Sequence, residues 1–123
     1  MEIEILQRID GYGSLEEFTW DLYPLIDAKY TEHLNESGLP KIGTRMQTGM
    51  IVVGKIGKTV HYDPQRQPTS LEIQGLDRES VNLKYGHMWT NTSIYADSLT
   101  EGVVEESFFV NRNGQRVAIV RLR

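Results

Sequence analysis

Gly102-Val103-Val104-Glu105-Glu106-Ser107-Phe108-Phe109-Val110, then Asn111-Arg112-Asn113-Gly114, then Gln115-Arg116-Val117-Ala118-Ile119-Val120-Arg121-Leu122-Arg123 is the stretch on which the fold turns. Two runs rich in β-branched and aromatic residues flank an Asn-Gly pair. Asn and Gly tolerate the positive φ of a tight turn, so the pattern predicts a β-hairpin. Alternation along the second run puts Val117 and Ile119 on one face and Ala118, Val120 and Leu122 on the other. Both faces are largely apolar, which predicts a strand covered on both sides.

Working back from the hairpin, Met50-Ile51-Val52-Val53-Gly54-Lys55-Ile56 is an apolar run preceded by Thr48-Gly49. It is too short for a helix and reads as a buried strand. Asn35-Glu36-Ser37-Gly38 is a turn cluster, and Leu39 to Gly43 reads as extended. Pro64 and Pro68 bar a central strand from residues 62–70. Leu71 to Ile73 reads as a short strand and Asp77 to Tyr85 as one or two helical turns. In the N-terminal part, Ser14-Leu15-Glu16-Glu17 matches a capping box, and Leu15, Phe18, Leu22 and Leu25/Ile26 follow at helical spacing. Pro24 either ends that helix or opens a second one. The expected architecture is therefore mainly β, a barrel–sandwich-like single domain over residues 1–123. Residues 1–36 form an acidic, partly helical N-terminal part. Residues 37–123 form a β-rich part, with an irregular insertion over 59–90. The expected core is Ile51, Val52, Val53, Ile56, Val103, Val104, Phe108, Val110, Val117, Ile119 and Val120.

A chain of 123 residues buries one modest core. No run approaches the roughly 18 apolar residues of a membrane span, and Met1 to Glu4 has neither the basic start nor the apolar stretch of a signal peptide. With no cysteine, disulfides, thiolate catalysis and cysteine zinc sites are excluded. A reducing intracellular setting, cytoplasmic or nucleoid-associated, is the simplest fit. The net charge of −4 conceals an asymmetry. Residues 1–40 hold nine acids against two bases, a net of −7, and residues 41–123 hold eleven bases against eight acids, a net of +3. An acidic front suits a protein partner and a mildly basic back suits nucleic acid at long range; two solvated faces without a message are the plainer reading.

Catalytic patterns are missing. Gly54-Lys55-Ile56-Gly57-Lys58-Thr59 ends like a phosphate-binding loop, but the glycine that loop needs five positions earlier is Val52, and the residues that follow are not helical. His33, His61 and His87 are not spaced as metal ligands from one helix, and read as surface or loop histidines. No serine sits in a nucleophile elbow. Glu105 and Glu106 are adjacent, so on a regular strand they face opposite ways. Tyr62, Tyr85, Trp89 and Tyr95, interleaved with Arg66, Arg78 and Lys84, read either as a stacking surface for single-stranded nucleic acid or as filling under a long loop. No catalytic residue, metal site or cofactor is expected.

Two segments resemble, in order, the β-type (second-largest) subunit of multisubunit DNA-directed RNA polymerases, in its wall or flap region. In the first, Tyr30 to Lys58, the turn Leu34 to Gly38, then Gly43, Gly49 and Val53-Gly54-Lys55 sit where the family pattern wants them. In the second, Asn91 to Arg123, Ser93 to Gly102 resembles the family's Ser/Thr-rich approach to a Gly-Val-Val strand. The Asn-Gly hairpin and the closing Arg116 to Arg123 resemble its return strand. Together they cover about half of the chain. The helical flap tip that docks sigma factor in bacterial polymerases has no counterpart, so the direct hairpin is closer to the archaeal and eukaryotic wall. The sequence stops at Arg123, before any counterpart of the lysine-bearing segment that the family places near its active centre.

What the resemblance implies is position: a non-catalytic, β-rich wall flanking the RNA–DNA hybrid and RNA exit path. It would be an excised domain, or a split subunit in a lineage such as a large virus. Its implied partners are the other polymerase subunits, DNA and RNA through the assembled complex, and a transcription factor; no membrane is implied. Charge placement makes Lys55, Lys58, Arg112, Arg116 and Arg121 the candidates for phosphate proximity. The alternative is a free-standing β-rich module that binds protein through an acidic N-terminal helix.

Overall fold

Asn113 and Gly114 both take positive φ, 55° and 78°, and close the hairpin between strands β8 (Gly102–Arg112) and β9 (Gln115–Leu122). The structure is a computed structural model that describes residues 1–8, 16–23, 25–58 and 89–123. The hairpin runs from Arg112↔Gln115 to Val104↔Leu122, with a bulge between Val104 and Glu106. β1 (Glu2–Leu6) pairs antiparallel with the other edge of β9, and β3 (Arg45–Met46) pairs with the start of β8. The resulting sheet has the order β1-β9-β8-β3 and curls into a half-barrel. One of the two inner strands, β9 is covered on both faces: Val117, Ala118, Ile119 and Val120 are each at most 2% exposed.

The run between the glycines supplies two more strands. β4 (Ile51–Val53) pairs with β7 (Ile94–Tyr95), and β5 (Lys55–Lys58) lies between β2 (Glu16–Phe18) and β6 (Trp89–Asn91). Every residue from Ile51 to Gly57 is buried. Adjacent residues of this run feed two cores. Val52 and Val53 join Ile5, Met46, Val104, Ala118, Val120 and Leu122, while Ile51 and Ile56 join Leu22 and Leu34. Of the expected core, Val103, Phe108 and Val110 are only half-buried, because β8 is flanked on its outer edge only at its start.

The N-terminal helix is not formed among the described residues. Glu16–Phe18 is a strand, and the only helical piece there is the 3-10 turn Ala28–Tyr30, capped by the Asp27 carboxylate. The helical spacing was coincidental: Phe18 packs on the first core beside Phe109, whereas Leu22, Leu25 and Ile26 serve the second. Ser14 and Leu15, the strand expected at 71–73, the helical turns expected at 77–85 and the loop at 62–70 lie outside the described residues.

Two glycines let three backbone segments cross. The Thr19 amide donates to the Gly54 carbonyl at 2.9 Å, and the Gly54 amide donates to the Gly38 carbonyl at 2.9 Å. Gly38 takes a φ of 85°, and a Cβ there would stand 2.7 Å from the Thr19 nitrogen; a Cβ on Gly54 would collide with the Thr19 carbonyl. Backbone cannot yield as a side chain can, so both positions require glycine.

Candidate nucleic-acid interface

The five candidate bases occupy different surroundings. Lys55 is an interior charge, not an outward-facing base. It is 4% exposed, and its Nζ donates to Glu16 Oε1 at 2.9 Å and to the Leu6 carbonyl at 3.3 Å. Glu16 Oε1 also accepts from the Arg8 amide at 2.9 Å. This cluster ties β1, β2 and β5 together. Burial pushes the Glu16 carboxyl up. Hydrogen bonds from Lys55, from the Thr92 side and from the Arg8 amide, together with the Lys55 charge, outweigh it and leave the carboxyl below its usual range. The Thr92 hydroxyl is buried without a well-formed hydrogen bond, yet it adds to that lowering. Lys58 ends β5, and its side chain lies outside what the structure describes.

Arg112 and Arg121 point outward but carry carboxylate partners. Arg112 grips both oxygens of Glu4, at 2.9 and 3.2 Å. The bridge joins β8 to β1 across β9, on the outer sheet face that also carries Val117 and Ile119. It holds the Glu4 carboxyl below its usual range through the hydrogen bonds first and the charge second. Arg121 donates to Glu106 at 2.9 Å and lies over the Phe108 ring, 5.4 Å from its centroid.

Arg116 differs. Its guanidinium lies over the Phe109 ring, 4.0 Å from the centroid, and that ring rests against Phe18 at 5.0 Å. No carboxylate pairs with it among the described residues. Its register partner across the hairpin is Asn111. Gln7 is next to it on the other side, its amide donating to the Arg116 carbonyl at 3.0 Å. These residues border a shallow depression of about 360 Å³ that Gly114 leaves open. Sequence reasoning missed Arg8, which stands exposed beside this end of β9. It also missed the role of Phe109 as a platform; the register of the hairpin, with Phe109 two residues from Asn111, was the available signal.

Other candidates resolve into structure. His33 donates from Nε2 to the Ile51 carbonyl at 2.6 Å, which fixes its ring beside a largely apolar cavity of about 480 Å³ floored by Ile26, Met50 and Ile51 and flanked by Tyr30 and Tyr95. Residues 55–58 are a strand rather than a phosphate-binding turn. Ser93 and Ser107 serve the backbone, at Lys55 and Pro40. His61, His87, Tyr62, Tyr85, Arg66, Arg78 and Lys84 lie outside the described residues, as does the side chain of Trp89. Among the described residues, no group of three or more His, Cys, Asp or Glu could hold a metal ion, and no helix is long and apolar enough to cross a membrane. Among the described residues of the acidic front the only helical piece is the 3-10 turn Ala28–Tyr30, Glu16 is paired in the interior and Glu4 is paired with Arg112. No protein-family model matches the chain.

Proposed function

We propose that this chain is a non-catalytic structural part of the β-type subunit of a DNA-directed RNA polymerase, a wall beside the RNA–DNA hybrid and RNA exit path. The observation that supports this reading is the way the two resembling segments interlock. Residues 30–58 and 91–123 are joined by backbone hydrogen bonds at several levels: Gly43 to the Val104 carbonyl (2.8 Å), Val104 to Thr44 (2.9 Å), Ala96 to Met50 (2.8 Å) and Thr92 to Lys55 (3.1 Å). The positions that carry the resemblance also have steric reasons to be what they are. Gly38 and Gly54 make the backbone crossing, and Asn113-Gly114 makes the turn. A wall of this kind acts by position. Its buried strands hold a surface in place, and the chemistry belongs to the rest of the assembly. Its partners are the remaining polymerase subunits, nucleic acid through the complex, and a transcription factor; its place in the cell is that of the polymerase, the cytoplasm or nucleoid, with a viral gene as one source.

The test is affinity purification of the tagged chain from its native cells. The expected result is co-purification of the largest polymerase subunit in a stoichiometric complex that extends primed RNA. Purification as a lone chain, with no polymerase subunit attached, would overturn the reading.

A further inference from the structure

We propose that the hairpin end of the large sheet is an oxyanion site that grips the phosphodiester backbone of nucleic acid, with Arg116 at its centre. The inference rests on the polymerase reading for the choice of phosphodiester; the oxyanion chemistry stands on the geometry alone.

Charge is segregated along the sheet. Among the described residues the hairpin end collects Arg8, Arg112 and Arg116; of its carboxylates, Glu4 is held by Arg112 and Glu16 by the buried Lys55. The opposite end carries Glu2, Glu101, Glu105 and Glu106, with Arg45, Arg121 and Arg123 among them. That end is close to neutral, so the charge balance favours a polyanion at the hairpin end. Arg116 on β9 and Arg8 beside it offer two positive charges to a chain of phosphates, whereas Arg112 lies on the opposite sheet face, engaged with Glu4.

Within that end Arg116 is prepared for an anion. A guanidinium held over an aromatic ring loses less rotational freedom when its N–H donors engage a ligand. Phe109 supplies the ring and is itself packed against Phe18. The Asn111 carboxamide, across the hairpin, has no partner among the described residues and can donate to the same oxyanion. A Cβ at Gly114 would meet nothing within 4 Å, so the lip of the depression is clear for a sugar–phosphate chain. Arg112 and Arg121 have the same chemistry but their forks are occupied by Glu4 and Glu106. Buried Lys55 takes no part.

The experiment uses the full chain and a short fluorescein-labelled RNA, followed by anisotropy across a salt series. The unmutated chain is expected to bind with an affinity that falls as salt rises. Arg116→Ala should flatten the slope of log affinity against log salt by about 0.7 and weaken binding about fivefold at 0.1 M salt, the loss of one single-strand phosphate contact. Phe109→Leu, which keeps the charge and removes the platform, should weaken binding by a smaller factor without changing the slope. Arg121→Ala, at the other end, should match the unmutated chain. Absence of salt-dependent RNA binding, or equal behaviour of Arg116→Ala and Arg121→Ala, overturns the site. Displacement of the RNA by polyglutamate at equal charge concentration would make it a receptor for protein carboxylates instead. Co-purification with polymerase subunits is scored separately on Arg116→Ala. Retained subunits with unchanged RNA binding would sink the site and leave the polymerase reading standing; Arg116-dependent RNA binding by a chain that captures no subunits would do the reverse.

Discussion

Two ion pairs in this protein have the same 2.9 Å contact and opposite meaning. Lys55–Glu16 joins three strands in the interior, with side chains 5% and 11% exposed; Arg112–Glu4 spans the outer face of the large sheet, with side chains 52% and 46% exposed. In the first, each charge has surrendered its water and relies on its partner and on the Leu6 carbonyl and Arg8 amide. In the second, water screens both charges and waits to replace either. Distance alone does not set what a pair contributes; the dielectric around it does.

The largest expected effect is therefore at Lys55. Lys55→Ala leaves the Glu16 carboxylate in the interior without its cation and should destabilise the fold by about 3 kcal/mol, read as a lower urea midpoint at unchanged slope. If the midpoint moved no further than for a change at Arg112, the distinction between the two pairs would collapse.

A second, smaller effect is pH dependence. The Glu16 carboxyl is held below its ordinary 4.5 in the folded chain, so the stability it contributes is fully present above that value. It is lost as pH falls through the folded value, because the unfolded chain then binds the proton first. Glu4 shifts in the same direction, but its pair is exposed. At about 1 M salt, where the Debye length shrinks to roughly 3 Å, the Glu4 part should fade and the Glu16 part remain. Urea midpoints between pH 7 and pH 3 in low and high salt would sharpen the comparison. An acid loss that vanishes entirely in high salt would assign it to the surface.

The smallest effect is expected at Arg112. Arg112→Gln keeps a long side chain over β9 and removes the charge, and its urea midpoint should match that of the unmutated chain at high salt. A difference that persists there would give the outer bridge a structural role like that of the inner one.

The same two pairs mark how far the sequence could be read. The hairpin was legible because its signals are local: Asn113-Gly114 carries the turn, and the alternation from Val117 to Leu122 carries the two-sided burial. Lys55 was misjudged because its partner stands 39 residues away. Glu16 was read as part of a capping box, and nothing local says that it faces a lysine. A hint was present: Lys55 lies inside a run of apolar residues bracketed by glycines, where an ammonium must find a buried carboxylate. The N-terminal helix failed for a related reason. The spacing from Phe18 to Ile26 fits one helical face, but these residues divide between two cores, and only long-range pairing of β2 with β5 reveals it. Arg116 was named with four other bases on charge alone; what sets it apart, an aromatic ring beneath it and no carboxylate paired with it among the described residues, is a property of register and neighbours.

The pairing of β1 with β9 has a consequence in time. Glu2↔Arg121 and Leu6↔Val117 join strands more than a hundred residues apart in sequence, so the sheet cannot close until both strands have been made. Such distant contacts repay the entropy of chain closure late, and sheets built on them fold slowly. During that wait β1 is a lone strand with Ile3 and Ile5 on one side, a template for the wrong partner. Glu2 and Glu4 alternate with them, and neighbouring copies of β1 would bring those charges into register. Glu2 and Glu4 thus act before the fold exists, as guards against self-association of the unpaired strand.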